Sequence, residues 1–239
     1  MRALGLFIVG IIVGYLAILF GWIAYTDFFP VPDHDGGVLM AIGFFVAPLG
    51  AVVFGIILGT GVGGGIIVNE QALTGPHHIA GEWGHNPLPW PRLDEFPMPK
   101  CFCGNEGCIE RFLCGSALAS DCDGPGARDA STIPARAAAG EAKAVAALAR
   151  HTDRLARCLA MAINFLDPDA IVIGGGLSNM SHLYNEVPKL IQRNVITPRL
   201  NTPILRNVHG DSSGVRGAAW LWPRDTVREP GRSHMTSVG

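Results

Sequence analysis

One histidine and three closely spaced cysteines restrict what this chain can fold into more than any other feature. Cys101, Cys103 and Cys108 fall within eight consecutive residues, and His85 precedes the first of them by sixteen. Three thiolates and one imidazole are a standard tetrahedral ligand set for zinc, and they leave no coordination position open for water. The pattern therefore predicts a structural Zn²⁺ site in a reducing compartment, not the disulfide framework of a small secreted domain.

The loop that would hold this ion is expected to be irregular. Gly104 and Gly107 should turn the backbone so that Cys108 reaches the same ion as the other ligands. Glu82 and Glu110 flank the cluster, where carboxylates beside a rigid loop are well placed to accept hydrogen bonds from sugar hydroxyls. The simpler alternatives are three unrelated core cysteines and two solvated glutamates. Regular structure between the ligands is excluded by five prolines: Pro87, Pro89, Pro91, Pro97 and Pro99.

A glycine-rich stretch between two runs of β-branched residues predicts a β-hairpin with an anion site at its turn. The sequence FGIILGTGVGGGIIV covers residues 54–68. Its glycines can take positive φ, so that successive backbone N–H groups converge on phosphate oxygens. The stretch matches neither a Walker loop nor a dinucleotide fingerprint. The alternatives to an anion site are an ordinary hairpin and the packing face of a membrane helix. The candidate phosphate-binding residues are Gly59, Thr60, Gly61, Gly63, Gly64 and Gly65.

An alanine-rich helix is expected over residues 135–166. We predict that it is broken near Gly140 and stopped by the pair Asp167 and Pro168. Apolar residues recur along it at helical spacing, which indicates one buried face. That face is predicted to contain Val145, Leu148, Leu155, Leu159 and Ile163.

The remaining elements alternate with this helix and favour an α/β core. A short buried strand from Ala170 is predicted to run into a second glycine turn, which would approach the adenosine part of a nucleotide held by the first turn. A further helix over 181–195 is interrupted at Pro188, and a last helix begins near Asp211 or Ser212. Residues 224–239 are predicted to be disordered. The second turn consists of Gly174, Gly175 and Gly176.

The first 52 residues are strongly apolar. Charged residues make up only 16% of the chain, against about 25% in ordinary domains, and the run Ala3–Tyr25 contains none. A run of this length predicts a transmembrane helix, and it exceeds the apolar region of a signal peptide. A second span over 37–58 conflicts with a strand at 53–58, so one or two helices are expected. The positive charge of Arg2 marks the cytoplasmic side. We therefore expect an inner-membrane protein whose C-terminal domain lies in the cytoplasm. The net charge of −2 gives no sign of a nucleic-acid partner.

Five motifs together resemble those of the ROK (repressor, open reading frame, kinase) family of sugar kinases. The resemblance covers residues 53–223, which correspond to the C-terminal half of such a kinase. It is strongest for the bacterial fructokinase (manno(fructo)kinase) branch, and N-acetylglucosamine kinases are close to it. The motifs are ILGTGVGGG (57–65), GEWGH (81–85), CFCGNEGCIE (101–110), DPDAIVIGGGLSN (167–179) and HGDSSGVRGAAW (209–220).

This resemblance implies the C-terminal domain of an actin-like, ribonuclease-H-like ATPase fold, preceded by the membrane-type helices. It also implies a kinase that uses ATP and Mg²⁺ to phosphorylate the 6-hydroxyl of a hexose such as fructose, mannose or glucose. By resemblance, residues 59–65 form the ATP phosphate loop. His85 would bind the zinc ion together with the three cysteines, and would contact the sugar together with Glu82 and Glu110.

The chain departs from the family pattern in residues 1–52. In the family that it resembles, the first domain carries an Asp-x-Gly-x-Thr-Lys phosphate hairpin. It also carries a general-base aspartate in an Asn-Asp-x-Asn motif. Neither motif is present, and Asp27, Asp33 and Asp35 lie in a proline-rich loop that does not suit this role. We therefore assign no catalytic residue and expect no turnover by this chain alone.

Three further expectations concern function and partners. A non-catalytic, membrane-anchored protein that binds sugar or nucleotide is the alternative to a kinase. A homodimer and a second chain that supplies the first kinase half both stay open as assemblies. The repressor branch of the family is disfavoured, because the hydrophobic start leaves no room for an N-terminal helix-turn-helix.

Overall fold

The structure is a computed structural model that describes residues 51–210. The predicted membrane helices, the last helix and the predicted disordered tail lie outside the described residues. Among residues 51–210, no helix is both long enough and apolar enough to cross a bilayer.

The described chain forms a five-stranded mixed sheet in the order β3-β2-β1-β4-β5. Strand β1 pairs antiparallel with β2 and parallel with β4, and β4 pairs parallel with β5. The carboxyl ends of β1 and β4 therefore meet at one edge of the sheet. The strands are β1 (Val52–Leu58), β2 (Val62–Val68), β3 (Gln71–Ala72), β4 (Ala170–Gly174) and β5 (Ile204–Arg206).

Residues 51–210 also form six helices and three 3-10 turns. The 3-10 turns cover Trp83–His85, Leu93–Glu95 and Gly176–Asn179. The helices are α1 (Glu110–Leu113), α2 (Gly115–Asp123), α3 (Ile133–Ala138), α4 (Ala142–Leu166), α5 (His182–Asn185) and α6 (Val187–Ile191).

The alanine-rich helix follows the sequence closely. Gly140 has a φ of +84° and separates α3 from α4, which confirms the predicted break. Asp167 ends α4 in the left-handed region, with a φ of +44°, and Pro168 cannot continue the helix. The predicted buried face is wrong at Val145, which is 47% exposed, whereas Leu155 is fully buried. The buried stripe at the start of α4 runs through Ala144 and Ala147 instead, both of which are fully buried.

The predicted helix over 181–195 is two short helices. Pro188 is the second residue of α6, where its missing N–H leaves no helical bond unmade. The interruption therefore falls at Glu186, which caps α6, two residues before the proline.

Alternating residues of the strands bury two different faces of the sheet. The main core joins one face, with Phe54, Ile56, Ile171 and Ile173, to the helices around Leu159. A small cluster on the other face contains Val53, Ile67 and Val172, with Leu205 packed against it. Among the described residues, the helices therefore pack on one face of the sheet, and the glycine turns follow the ends of β1 and β4.

Candidate functional site

The four candidate metal ligands converge. One ligand atom each from His85, Cys101, Cys103 and Cys108 lies within 4.8 Å of the other three. The Cys103 and Cys108 sulfurs are 3.6 Å apart, and the Cys101 sulfur is 3.6 Å from His85 Nδ1. Tetrahedral zinc with Zn–S bonds of about 2.3 Å places its sulfurs about 3.8 Å apart, so the spacing and the donor set both fit this ion.

The backbone of the metal loop closes as its glycines suggest. Gly104 and Gly107 have φ values of +96° and +76°, in the left-handed region that favours glycine. The Cys101 N–H donates to the Asn105 carbonyl at 2.8 Å, and the Ile109 N–H donates to the Asn86 carbonyl at 2.9 Å. These bonds turn the segment back and tie it beside the histidine.

The pKa values of two of the cysteine thiols are shifted in opposite directions by their surroundings. The pKa of Cys103 is lowered, chiefly because the backbone N–H of Asn105 donates to its sulfur. Burial raises the pKa of Cys108, and the neighbouring sulfurs add to this effect. Three sulfurs this close repel one another as thiolates, and a divalent cation between them would offset that repulsion.

Two glycine turns lie side by side at the carboxyl ends of β1 and β4. Ile57 is paired with Gly174 in the sheet register. Gly175, with a φ of +82°, approaches so closely that a Cβ there would lie 2.6 Å from the Leu58 carbonyl oxygen. A Cβ at Gly59 or Gly176 would meet no atom within 4 Å. The two turns therefore leave open space on the sheet edge where a ligand can approach the backbone.

The first turn is shorter than predicted. It consists of Gly59, Thr60 and Gly61, whereas Gly63, Gly64 and Gly65 lie inside strand β2. None of these five glycines has a positive φ, so the predicted left-handed nest is wrong. For Gly63, Gly64 and Gly65 the physical reason is the pairing with β1, which keeps them extended.

Packing explains one glycine of strand β2 and one glycine of the 3-10 turn Trp83–His85. A Cβ at Gly64 would lie 2.9 Å from the Trp83 ring and 3.1 Å from the Gly81 carbonyl. A Cβ at Gly84 would lie 2.0 Å from the Val62 carbonyl. The segment around Trp83 thus lies directly against β2, and glycine is required on both sides of the contact.

The two candidate sugar-binding glutamates differ in their surroundings. Glu82 is exposed and, within residues 51–210, its side chain makes no hydrogen bond. Glu110 is half-buried, and its Oε2 accepts a hydrogen bond from the Val62 N–H at 3.0 Å. Both border the metal cluster: Glu82 precedes the 3-10 turn that ends at His85, and Glu110 follows Cys108 by two residues.

Sequence reasoning missed the role of Trp83. Its buried ring stacks edge-on against Phe54, and its Nε1 donates to the Gly63 carbonyl at 2.8 Å. Trp83 therefore fixes the histidine-bearing turn to the glycine hairpin. The two glycines of GEWGH were a usable signal, since a glycine can mark a site where another backbone segment approaches closely.

A buried charge cluster was also missed. Glu95 accepts hydrogen bonds from Arg154 at 2.9 Å and from Arg157 at 2.5 Å. Arg157 also donates to the carbonyls of Pro89 and Trp90, so helix α4 holds the proline-rich loop that precedes the cysteines. Burial favours the neutral form of Glu95, but hydrogen bonds from the Arg92 N–H, Arg157 and Arg154 hold its pKa below the usual value. No sequence pattern linked residues so far apart.

The fold and the site together define a class of α/β protein. In this class, parallel strands of a mixed sheet end in glycine turns beside a Cys₃His loop. The model of the ROK family matches residues 50–225, which is most of the chain. The chain belongs to the ROK family.

Sequence relatives are sugar kinases. N-acetyl-D-glucosamine kinases from Yersinia enterocolitica and Photobacterium profundum are 43% and 42% identical to it over 175 and 176 residues. Each match covers 71% of this chain and 58% of the relative. The chain thus spans less than two thirds of the length of these kinases, and they do not single out the fructokinase branch.

Solved structures confirm the α/β fold of ROK sugar kinases. A ROK glucokinase from Streptomyces griseus, in complex with glucose and AMPPNP, has a TM-score of 0.65 at 26% identity, covering 80% of this chain and 67% of that protein. A ROK hexokinase from Thermus thermophilus has a TM-score of 0.64 at 25% identity, covering 78% and 62%.

Proposed function

We propose that residues 53–223 are the nucleotide-, metal- and sugar-binding half of an ATP-dependent hexose kinase, a transferase of carbohydrate metabolism. The observation that carries the proposal is the position of the two glycine turns, side by side at the carboxyl edge of parallel strands and connected to a Cys₃His cluster. In α/β sheets, ligands bind at this edge.

The glycine turns are assigned to the nucleotide. The backbone of Gly59–Gly61 faces the phosphates, and the open Cα of Gly176 faces the adenosine. Mg²⁺, when bound with ATP, neutralises charge on the transferring phosphoryl group, and positioning supplies most of the remaining catalysis in such reactions. Gly63, Gly64 and Gly65 serve the hairpin and its contact with Trp83 rather than the phosphates.

The zinc ion is assigned a structural role. Its four ligands close a loop whose backbone has little regular structure, and a filled coordination shell leaves no position for an activated water. The loop in turn holds Glu82, His85 and Glu110 beside the cluster, where the two carboxylates accept hydrogen bonds from sugar hydroxyls and the imidazole makes a further contact with the sugar.

The sugar is a hexose whose 6-hydroxyl accepts the phosphoryl group. Motifs at 80–90 and 209–223 favour fructose or mannose, and the 43% identical relatives favour N-acetylglucosamine. A coupled assay with fructose, mannose, glucose and N-acetylglucosamine, in the presence of MgATP, separates these substrates.

Turnover is proposed to need a second polypeptide segment. Residues 1–52 contain neither the family's phosphate hairpin nor its general-base aspartate. We expect the purified 239-residue chain to bind a nucleotide analogue and to phosphorylate no hexose, and the addition of the first kinase half, as a separate chain, to restore activity. Turnover by the single chain contradicts this part of the proposal.

The alternative function is a membrane-anchored binding protein without catalysis. It is favoured by the uncharged run Ala3–Tyr25, which would place the chain in the inner membrane with the kinase-type domain in the cytoplasm. A reporter fused to the C-terminus tests this topology. A periplasmic reporter signal contradicts the placement and also counts against a cluster of reduced thiolates, because the periplasm favours disulfides.

A further inference from the structure

Both chain segments that carry metal ligands are hydrogen bonded to the beginning of strand β2. Trp83, two residues before His85, donates from Nε1 to the Gly63 carbonyl at 2.8 Å. Glu110, two residues after Cys108, accepts from the Val62 N–H at 3.0 Å. A metal ion that joins the two segments therefore acts on neighbouring residues of the hairpin.

Residues 110–115 hold both ends of the first glycine turn. At one end, Glu110 binds the Val62 N–H, and at the other the Gly115 N–H donates to the Gly59 carbonyl at 2.7 Å. Within the turn, the Gly59 N–H donates to the Gly61 carbonyl at 3.0 Å. Helix α1 is a single rigid turn between these two attachments, so movement at its start reaches the whole glycine turn.

The glycine at position 61 is explained by this contact. A Cβ on Gly61 would lie 2.7 Å from Glu110 Oε2, closer than real Cβ atoms approach a neighbour, whereas a Cβ on Gly59 would meet nothing within 4 Å. Gly61 therefore makes room for the carboxylate of Glu110, while Gly59 faces open space.

We propose that Glu110 is a positioning residue that couples the metal cluster to the glycine turn. Metal loading fixes the segment that begins at Cys108, this segment fixes the Glu110 carboxylate, and the carboxylate fixes the backbone at Val62. The inference rests on the proposed function only in taking the ligand of the turn to be nucleotide phosphate. It adds a second role to a residue whose assigned role is contact with sugar.

Hydrogen exchange at the Val62 amide tests the coupling directly in the full chain. In Glu110→Ala we expect exchange about tenfold faster, because a hydrogen bond to a charged acceptor is lost. Glu110→Gln should stay close to the unsubstituted protein, since its amide oxygen can accept the same bond. Glu106→Ala, an exposed glutamate of the same loop, is the matched control.

Metal removal completes the test. Chelation should accelerate Val62 exchange in the unsubstituted protein and add little in Glu110→Ala, while amides in the centre of α4, such as Leu159, stay protected. Equal Val62 exchange in Glu110→Ala and the unsubstituted protein overturns the coupling. So does a Gln variant that behaves like Ala, or chelation that releases the metal without changing Val62 exchange.

Titration of the protein variants with AMPPNP measures nucleotide affinity and so tests the nucleotide assignment separately from the coupling. Coupling predicts that Glu110→Ala weakens nucleotide affinity about tenfold and that Glu110→Gln restores it. If the exchange pattern holds but no variant binds AMPPNP, the coupling to the turn stands and the nucleotide assignment is wrong. Gly61→Ala should reproduce the Glu110→Ala exchange pattern, because its methyl group displaces the carboxylate.

Discussion

Trp83 donates a hydrogen bond from its indole Nε1 to the carbonyl of Gly63, 2.8 Å away, and its ring lies edge-on against Phe54. This contact links the chain segment that carries His85 to the glycine hairpin. The relationship is local in space and distant in sequence, and it makes the metal cluster and the hairpin parts of one structural unit.

Replacement of Trp83 should separate its packing from its hydrogen bond. Trp83→Phe retains most of the buried ring and is expected to lose about 1 kcal/mol of unfolding free energy. Trp83→Ala also leaves a cavity and is expected to lose about 3–5 kcal/mol. Urea denaturation measures both values. Equal losses in the two variants would show that ring packing contributes little here.

Gly84 should tolerate no side chain. A Cβ at this position would lie 2.0 Å from the backbone carbonyl of Val62, so Gly84→Ala must displace either β2 or the 3-10 turn. We expect a loss of about 2 kcal/mol or more, in the range of overpacked sites. Gly63→Ala is the matched control, because a Cβ there meets nothing within 4 Å. Thermal unfolding of both variants checks the contrast, and an unaffected Gly84→Ala protein contradicts the close contact.

Glu95 should make stability depend on pH in the acidic range. Its pKa in the folded protein is below the ordinary value of 4.5, so the unfolded chain binds more protons as the pH falls. The stabilising contribution is therefore complete above pH 4.5 and is lost as the pH falls through the lower, folded-state pKa. Denaturant titrations at neutral and acidic pH should show a steeper loss in the unsubstituted protein than in Glu95→Gln.

The magnitude of the Glu95 effect follows from burial. Glu95→Gln leaves two buried arginines with a weaker partner, and we expect a loss of about 3 kcal/mol at neutral pH. Glu186→Gln breaks an exposed ion pair with Lys189, 2.9 Å apart, and should cost less than about 1 kcal/mol. A similar small loss in both variants contradicts the structural importance of the buried cluster.

Much of the fold follows from local sequence signals. The β1–β2 hairpin, the break at Gly140 and the end of α4 at Asp167 were all predictable, because each depends on residues that are neighbours in the chain. The convergence of His85 with the cysteines was equally predictable from the sequence, since the number and spacing of ligands restrict how the loop can close. The roles of these residues stay predictions.

The features that the sequence did not predict depend on contacts between distant segments. Gly63, Gly64 and Gly65 were assigned to the phosphate-binding turn, but pairing with β1 keeps them extended in β2, and Trp83 fills the space beside Gly64. The sugar-binding role of Glu110 stays a prediction, and no sequence signal indicated that one of its oxygens also accepts a hydrogen bond from the Val62 N–H. Tertiary pairing decided both cases, and sequence periodicity carries no information about it.

Metal analysis of the purified full chain tests the central claim most directly, because the cluster holds the proposed sugar-binding residues beside the glycine turn. The account predicts one zinc ion per chain, lost in Cys103→Ser and in Cys108→Ser. It should be retained in Cys122→Ser, which alters a buried cysteine outside the cluster. A chain that purifies without zinc, or zinc content unchanged by Cys103→Ser and Cys108→Ser, would contradict the account.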